Sequence, residues 1–233
     1  MAFRFRQFSC EDAQSTLRIG TDSMLLGSWA NPGKAKKILD IGTGCGVLAL
    51  MMAQKSESMI DAIDIDQPSV LEAQNNFLSS PWPLRIKAMH CSLETFSSET
   101  KETYCFIISN PPYFANSLKS PSARINHTRH DEGLSLPELA VIVSRLLAAD
   151  GCFATILPPG PMEKFQLVCA ENGLFPFRSL DIFPKPASPK KRVLTEFTKK
   201  KITHIESQAL VILDTSGKFT PEYLALTKCF HNF

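Results

Sequence analysis

The run Ile107-Ile108-Ser109-Asn110-Pro111-Pro112-Tyr113-Phe114 ends an apolar strand on an amide, two prolines and a phenol. Two consecutive prolines remove two backbone donors and stiffen the turn, so the Asn110 side-chain oxygen and the Pro111 carbonyl become fixed acceptors. Acceptors at such a point suit an exocyclic amine or an amide, whose delocalised lone pair makes it a poor nucleophile. Hydrogen bonds from its N–H groups stabilise the charge that develops as the nitrogen attacks. Tyr113 offers a face on which a planar group can stack. Asn110, Pro111, Pro112 and Tyr113 are therefore the candidate catalytic residues, in a chemistry that requires no metal and no covalent enzyme intermediate. A proline turn over a buried tyrosine is the plain structural alternative.

A second constellation lies upstream. Asp40-Ile41-Gly42-Thr43-Gly44-Cys45-Gly46 follows an apolar run and precedes a helical pattern. Glycines in that setting permit a tight turn and close backbone approach to a ligand. The spacing is not the dinucleotide fingerprint, whose third glycine would stand where Val47 is, and there is no phosphate-loop lysine. Asp64 closes the next strand, where a carboxylate can accept both hydroxyls of a ribose. Loop and acid together point to a nucleoside ligand. An NAD-linked oxidoreductase and a glycine turn with a helix-capping aspartate are the competing readings.

Asp40 to Gly46, with Ile63-Asp64-Ile65-Asp66, resembles the first two motifs of the Rossmann-like S-adenosylmethionine-dependent methyltransferases. The resemblance implies that Asp40, Gly42, Thr43, Gly44 and Gly46 hold the methionine part of S-adenosylmethionine, that Asp64 holds its ribose, and that Asn110 borders it. Cys91-Ser92 departs from the Gly-Asp that many relatives carry near the adenine, which leaves Ser92 for that contact. The Asn-Pro-Pro-Tyr pattern is shared by amino-methyltransferases acting on adenine, cytosine and glutamine, so it sets reaction type better than substrate.

A narrower likeness begins at Arg18-Ile19-Gly20-Thr21-Asp22-Ser23 and runs to Trp29, a stretch that by itself reads as a cap and a core helix. It resembles the bacterial family that methylates N6 of adenine 37 in valine tRNA, and the likeness continues through Ser80 to Pro83, Asn110 to Phe114, Arg129-His130-Asp131 and the tail from Phe219. It implies that Thr21 and Asp22 lie beside the cofactor and that tRNA is the partner. The 39 residues before Asp40 leave no room for the separate helical domain of glutamine-methylating relatives, which favours a nucleic acid. Methylation of ribosomal RNA or of a protein glutamine remains the enzymatic alternative. A non-catalytic RNA-binding module with a vestigial pocket is the other.

With 25 Lys plus Arg against 23 Asp plus Glu, contact with a polyanion must rest on a local patch. Lys185, Lys190, Lys191, Arg192, Lys199, Lys200 and Lys201 supply one, with Glu196 the single acid among them. Lys190, Lys191 and Arg192, with Arg129 and His130, are the candidate RNA contacts; an edge strand protected by lysines is an equal explanation. Phe3, Phe5 and Phe8 form either a base-stacking strip or a packed N-terminal strand. Seven scattered cysteines without a C-x-x-C pair suggest neither zinc nor disulfides. No apolar run approaches the roughly 20 residues of a membrane helix, and no signal peptide is evident. The expectation is a soluble, cytoplasmic monomer without metal.

The elements that must position these residues follow from periodicity. Short apolar runs at 37–41, 59–63, 85–89, 104–108 and 152–157 alternate with helical patterns beginning at Val47, at the cap Asp66, over 136–149 and over 162–171. That alternation predicts a parallel sheet covered on both faces. The runs at 177–183 and 193–197 are joined by a Pro/Lys loop with no helix, which predicts an antiparallel hairpin at the sheet edge. The expected fold is α/β and Rossmann-like, with a seven-stranded, mostly parallel sheet and helices on both faces. It is read as one methyltransferase domain over 1–233, with an N-terminal extension 1–35, a catalytic core 36–198 and a C-terminal extension 199–233. Strands one and four then flank the switch-point crevice, so Asn110 faces the loop from Gly42 to Gly46.

Overall fold

Residues 2–112 and 135–231 are described in the computed structural model of the chain. A short antiparallel pair, β1 (Phe3–Arg4) and β2 (Ser9–Cys10), opens it. The main sheet holds β3 (Lys37–Ile41), β4 (Met59–Asp64), β5 (Ile86–His90), β6 (Tyr104–Ser109), β7 (Leu147–Leu157), β8 (Phe175–Phe183), β9 (Arg192–Thr198) and β10 (Glu206–Val211). Their order is β10-β8-β9-β7-β6-β3-β4-β5. Only β9 runs against the rest. From β3 the chain builds outward through β4 and β5, then returns to place β6 on the other side. This reversal opens a crevice at the carboxyl ends of β3 and β6.

Helices α1 (Thr21–Trp29), α2 (Val47–Lys55), α3 (Gln67–Leu78) and α7 (Pro221–Thr227) cover one face; α4 (Leu93–Glu99), α5 (Leu136–Leu146) and α6 (Pro159–Glu171) cover the other. The caps are local and chemical. Asp66 accepts the Ser69 N–H, Thr220 accepts that of Tyr223, and Ser135 with Glu138 closes a capping box. Helix α2 is buried from Val47 through Ala53, wedged between the sheet and α1. Its apolar residues therefore need no polar face.

Three expectations change. The sheet has eight strands among the described residues, because the tail supplies β10 in parallel register with β8, Glu206 beside Arg178 through Val211 beside Phe183. The β8–β9 hairpin is consequently not at the edge. Its antiparallel sense has a simple cause: residues 184–191 are too few for the crossover of a dozen or more residues that parallel neighbours need. The helix expected over 136–149 stops at Leu146, and Leu147 turns extended to begin β7. There Leu147 pairs with Tyr104 beyond a register shift, and its carbonyl accepts the Lys199 ammonium at 2.7 Å.

Phe5 and Phe8 are buried and stacked with ring centroids 4.3 Å apart, and Phe8 meets Trp82 edge-on. The N-terminal aromatics are thus core rather than a base-stacking strip. His90, at the end of β5, bonds the Ile65 carbonyl through Nε2 at 2.9 Å.

Candidate active site

The crevice at the carboxyl ends of β3, β4 and β6 contains a cavity of about 520 Å³, within the range of small-molecule and cofactor sites. The glycine loop forms its floor. Gly42 and Gly44 take φ of 69° and 55°, and a Cβ built on either meets no atom within 4 Å. Glycine is required there for the left-handed backbone, and the side facing the cavity is open. Gly46 differs: at φ 87° a Cβ would lie 2.3 Å from Phe77 Cε1 of α3. Its role is the close fit of loop against helix.

Two aspartates hold the loop. Asp64 accepts the Gly44 N–H on Oδ2 and the Asp66 N–H on Oδ1, both at 2.8 Å. Each oxygen keeps a lone pair for a further donor. Burial raises the Asp64 carboxyl above its ordinary value, against the lowering effect of those backbone bonds. Asp40 is fully buried at the end of β3; its Oδ2 accepts the Thr43 hydroxyl at 2.6 Å and the Ala49 N–H at 3.2 Å. Burial pushes its carboxyl up to about 7. Asp40 is not in the cavity wall, because its side chain turns behind the loop it braces. Its Oδ1 has no hydrogen-bond partner among the described residues.

Across the crevice, β6 lies parallel to β3 with Ser109 opposite Ile41, and the Ser109 hydroxyl donates to the Ile41 carbonyl at 2.9 Å. One residue further along each strand, Gly42 and Asn110 leave the ladder and both line the cavity. Asn110 Nδ2 points to Ser23 Oγ on α1 at 3.4 Å. Pro111 and Pro112 complete this wall.

A roof comes from the N-terminal segment 16–20. Helix α3 fastens it: Glu72 accepts the N–H groups of Gln14 and Ser15 at 2.9 and 2.8 Å and the Ser15 hydroxyl at 2.6 Å. One turn on, Asn76 accepts the Glu11 N–H and donates to the carbonyls of Glu11 and Cys45, tying roof to glycine loop. Thr21 and Asp22 open α1 in the wall beside the roof. Asp22 pairs with Arg192 at 2.8 Å, and Arg192 itself borders the cavity.

The chain matches the family model of the methyltransferase small domain over residues 13–127. It is 37% identical over 229 residues to the tRNA1(Val) (adenine(37)-N6)-methyltransferase of Parabacteroides distasonis, covering 98% of this chain and 97% of that one. The protein of the same name in Phocaeicola vulgatus is 39% identical over 229 residues, with the same coverage. This chain belongs to the tRNA1(Val) (adenine(37)-N6)-methyltransferase family. Among solved structures, one described as a predicted O-methyltransferase from Agrobacterium tumefaciens superposes with TM-score 0.68 at 20% identity, over 90% of this chain and 96% of that one. A TehB-like SAM-dependent methyltransferase from Corynebacterium glutamicum gives TM-score 0.52 at 19% identity, over 78% and 89%. These two establish the methyltransferase fold.

In this family member the structure brings Thr21, Asp22, Gly42, Thr43, Gly44, Asp64, Ser92, Asn110, Pro111 and Pro112 to one cavity. Gly46 and Asp40 stand behind it. Ser92 lies in the wall, but its oxygen caps α4 by accepting the Thr95 N–H at 3.1 Å. Tyr113, Arg129 and His130 lie outside the described residues. Lys190 pairs with Asp181 at 2.9 Å, away from the cavity wall. Sequence reading missed Ser23, the roof and the cavity role of Arg192. A signal for the roof existed: Ser69, Glu72 and Asn76 form a polar stripe at helical spacing on a buried face. None existed for Arg192, which lies 170 residues from its partner.

Proposed function

We propose that the chain transfers a methyl group from S-adenosylmethionine to the exocyclic N6 of an adenine in tRNA, adenine 37 of valine tRNA. The reading follows from family membership and is supported most directly by the β3–β6 register, which ends at Ile41 beside Ser109 and brings the glycine loop and Asn110 into one cavity. The residues fit the cofactor. Open glycine faces at Gly42 and Gly44 leave room for a ligand against the backbone, and Asp64 keeps lone pairs for two ribose hydroxyls. The Asp40 oxygen without a partner is a buried acceptor behind that loop, suited to a cationic amine through one intervening group.

When bound, S-adenosylmethionine would supply an electrophilic methyl on a sulfonium centre; in-line attack by the amine nitrogen would break the S–CH3 bond, leave S-adenosylhomocysteine and release one amine proton to solvent. The chain's own residues do the rest. Asn110 Oδ1 and the Pro111 carbonyl accept the two N–H bonds of the adenine amine, which holds the nitrogen lone pair toward the cavity and stabilises the charge that grows on it. Ser23, by accepting from Asn110 Nδ2, turns the amide oxygen toward the substrate. Orientation in a walled site contributes much of the remaining acceleration. In this reading residues 1–35 and 199–233 are additions to one catalytic domain, and the protein works as a cytoplasmic monomer. Among the described residues no helix is long and apolar enough to cross a membrane, and no cluster of three His, Cys, Asp or Glu could hold a metal.

Asn110→Ala tests the acceptor role. Turnover is expected to fall by about 100-fold or more, the size of effect seen on removal of one such polar group, with cofactor affinity nearly intact. Unchanged turnover would refute the mechanism.

A further inference from the structure

In the sequence, Lys185 to Lys201 is one basic run. The fold divides it. Strand β9 is seven residues long, so at about 3.3 Å per residue its ends lie roughly 20 Å apart. It also runs against its neighbours: Val193 pairs with Leu157 at the carboxyl end of β7, whereas Thr198 pairs with Cys152 nearer its start. Lys185, Lys190, Lys191 and Arg192 therefore gather at the edge where the cavity opens. Lys199, Lys200 and Lys201 fall at the opposite edge. The lysine-protected edge strand is excluded as well, since β8 and β10 lie outside β9.

The two groups differ in what surrounds them. At the far edge Lys199 is bonded to the Leu147 carbonyl, Lys200 to Asp150 at 2.6 Å, and Lys201 lies over the Phe175 ring. At the cavity edge two acids face the cations: Asp181 takes Lys190 and Asp22 takes Arg192. Lys185 and Lys191 are exposed and make no ion pair among the described residues. The loop that presents them is stiff. Pro186 and Pro189 fix their own φ, Ala187 sits at φ 59°, and the ends are pinned by Ser188 N–H to Lys185 O and Lys191 N–H to Ile182 O. Arg192 belongs to this loop's end and to the cavity wall at once.

Resting on the reading of the substrate as an RNA, we infer that its phosphate backbone is seated on this ledge, on Lys185 and Lys191, while Lys199 to Lys201 take no part. Each nucleotide carries one phosphate charge, and two exposed ammonium groups on a pinned loop that runs to Arg192 in the cavity wall can neutralise two of them, with little loop freedom left to lose on binding. The far cluster cannot substitute. At physiological salt the screening length is about 8 Å, so charges roughly 20 Å away along β9, already bonded within the chain, contribute little at the ledge.

The test compares two charge-matched double variants, Lys185→Glu with Lys191→Glu against Lys200→Glu with Lys201→Glu. Methyl transfer into tRNA is measured across 50–200 mM salt, with cofactor affinity and melting temperature beside it. The ledge variant is expected to raise KM for tRNA by about tenfold or more, and to flatten its logarithmic salt dependence by about 1 to 2, with kcat at saturating tRNA and cofactor affinity retained. The far-edge variant stays within about twofold. Equal effects, or a larger effect at the far edge, overturn the ledge. If charge reversal lowers the melting temperature, the alanine pair at 185 and 191 carries the same test, with the same direction expected. Absence of methyl transfer to tRNA by the unaltered protein would instead count against the proposed reaction.

Discussion

Alanine at Gly44 and at Gly46 separates ligand space from fold. Both residues are left-handed, so a Cβ costs about 1–2 kcal/mol at either. At Gly44 nothing lies within 4 Å of that Cβ, so the backbone penalty is the whole cost to the fold. With about 2–4 °C lost per kcal/mol in a chain of this size, the melting temperature falls by about 2–8 °C. The methyl nevertheless projects where the cofactor would meet the loop backbone, so affinity is expected to drop by about tenfold or more, an overpacking cost of about 1–3 kcal/mol. At Gly46 the Cβ overlaps Phe77 at 2.3 Å and crowds Ala73 at 3.2 Å. Adding about 1–3 kcal/mol of core overpacking brings the total to about 2–5 kcal/mol, a fall of about 4–20 °C. Thermal unfolding and isothermal titration with S-adenosylhomocysteine read both quantities. Unchanged affinity in Gly44→Ala, or a Gly46→Ala variant that melts no lower than Gly44→Ala, contradicts this division of roles.

Asp40 carries a pH signature. Its folded-state value of about 7 stands above the 3.8 of an ordinary aspartate, so between those values the folded protein holds a proton that the unfolded chain has released. Its contribution to stability is full below about pH 4 and is lost as pH rises through about 7. Asp40→Asn, which keeps an acceptor for Thr43 but cannot ionise, should gain on the unaltered chain from pH 5 to pH 8 in ligand-free melts; a difference flat with pH counts against it. Glu72→Ala removes the acceptor of three donors and should cost about 2–4 kcal/mol. Hydrogen exchange should quicken at residues 11–20 and cofactor affinity should weaken; protection unchanged there would show that the roof is held some other way.

Local signals in the sequence were strong where a single residue type meets a single physical demand. The glycines at 42, 44 and 46, the strand-ending Asp64 and the Asn-Pro-Pro turn each advertise their backbone or chemistry, and alternating apolar runs implied that β3 and β6 adjoin. What could not be read was any relation set by strand direction. Lys191 and Lys201 look like one cluster until β9 is known to carry one to each end of the sheet. Asp22 and Arg192 meet only because β9 begins at the carboxyl edge. Strand β10 shows in the sequence only as the apolar run 209–213, with no sign of its place in the sheet, because its first residues are polar and exposed. Asp40 is a motif residue whose place the sequence could not show: it braces the glycine loop from behind through Thr43 and Ala49.

Methyl transfer to adenine 37 is read out with an unmodified valine tRNA transcript, the purified protein and labelled S-adenosylmethionine, followed by nucleoside mass spectrometry. N6-methyladenosine is expected at position 37, and none in a transcript carrying guanine there. Label in another nucleoside, or in ribosomal RNA or protein with none in tRNA, would contradict it.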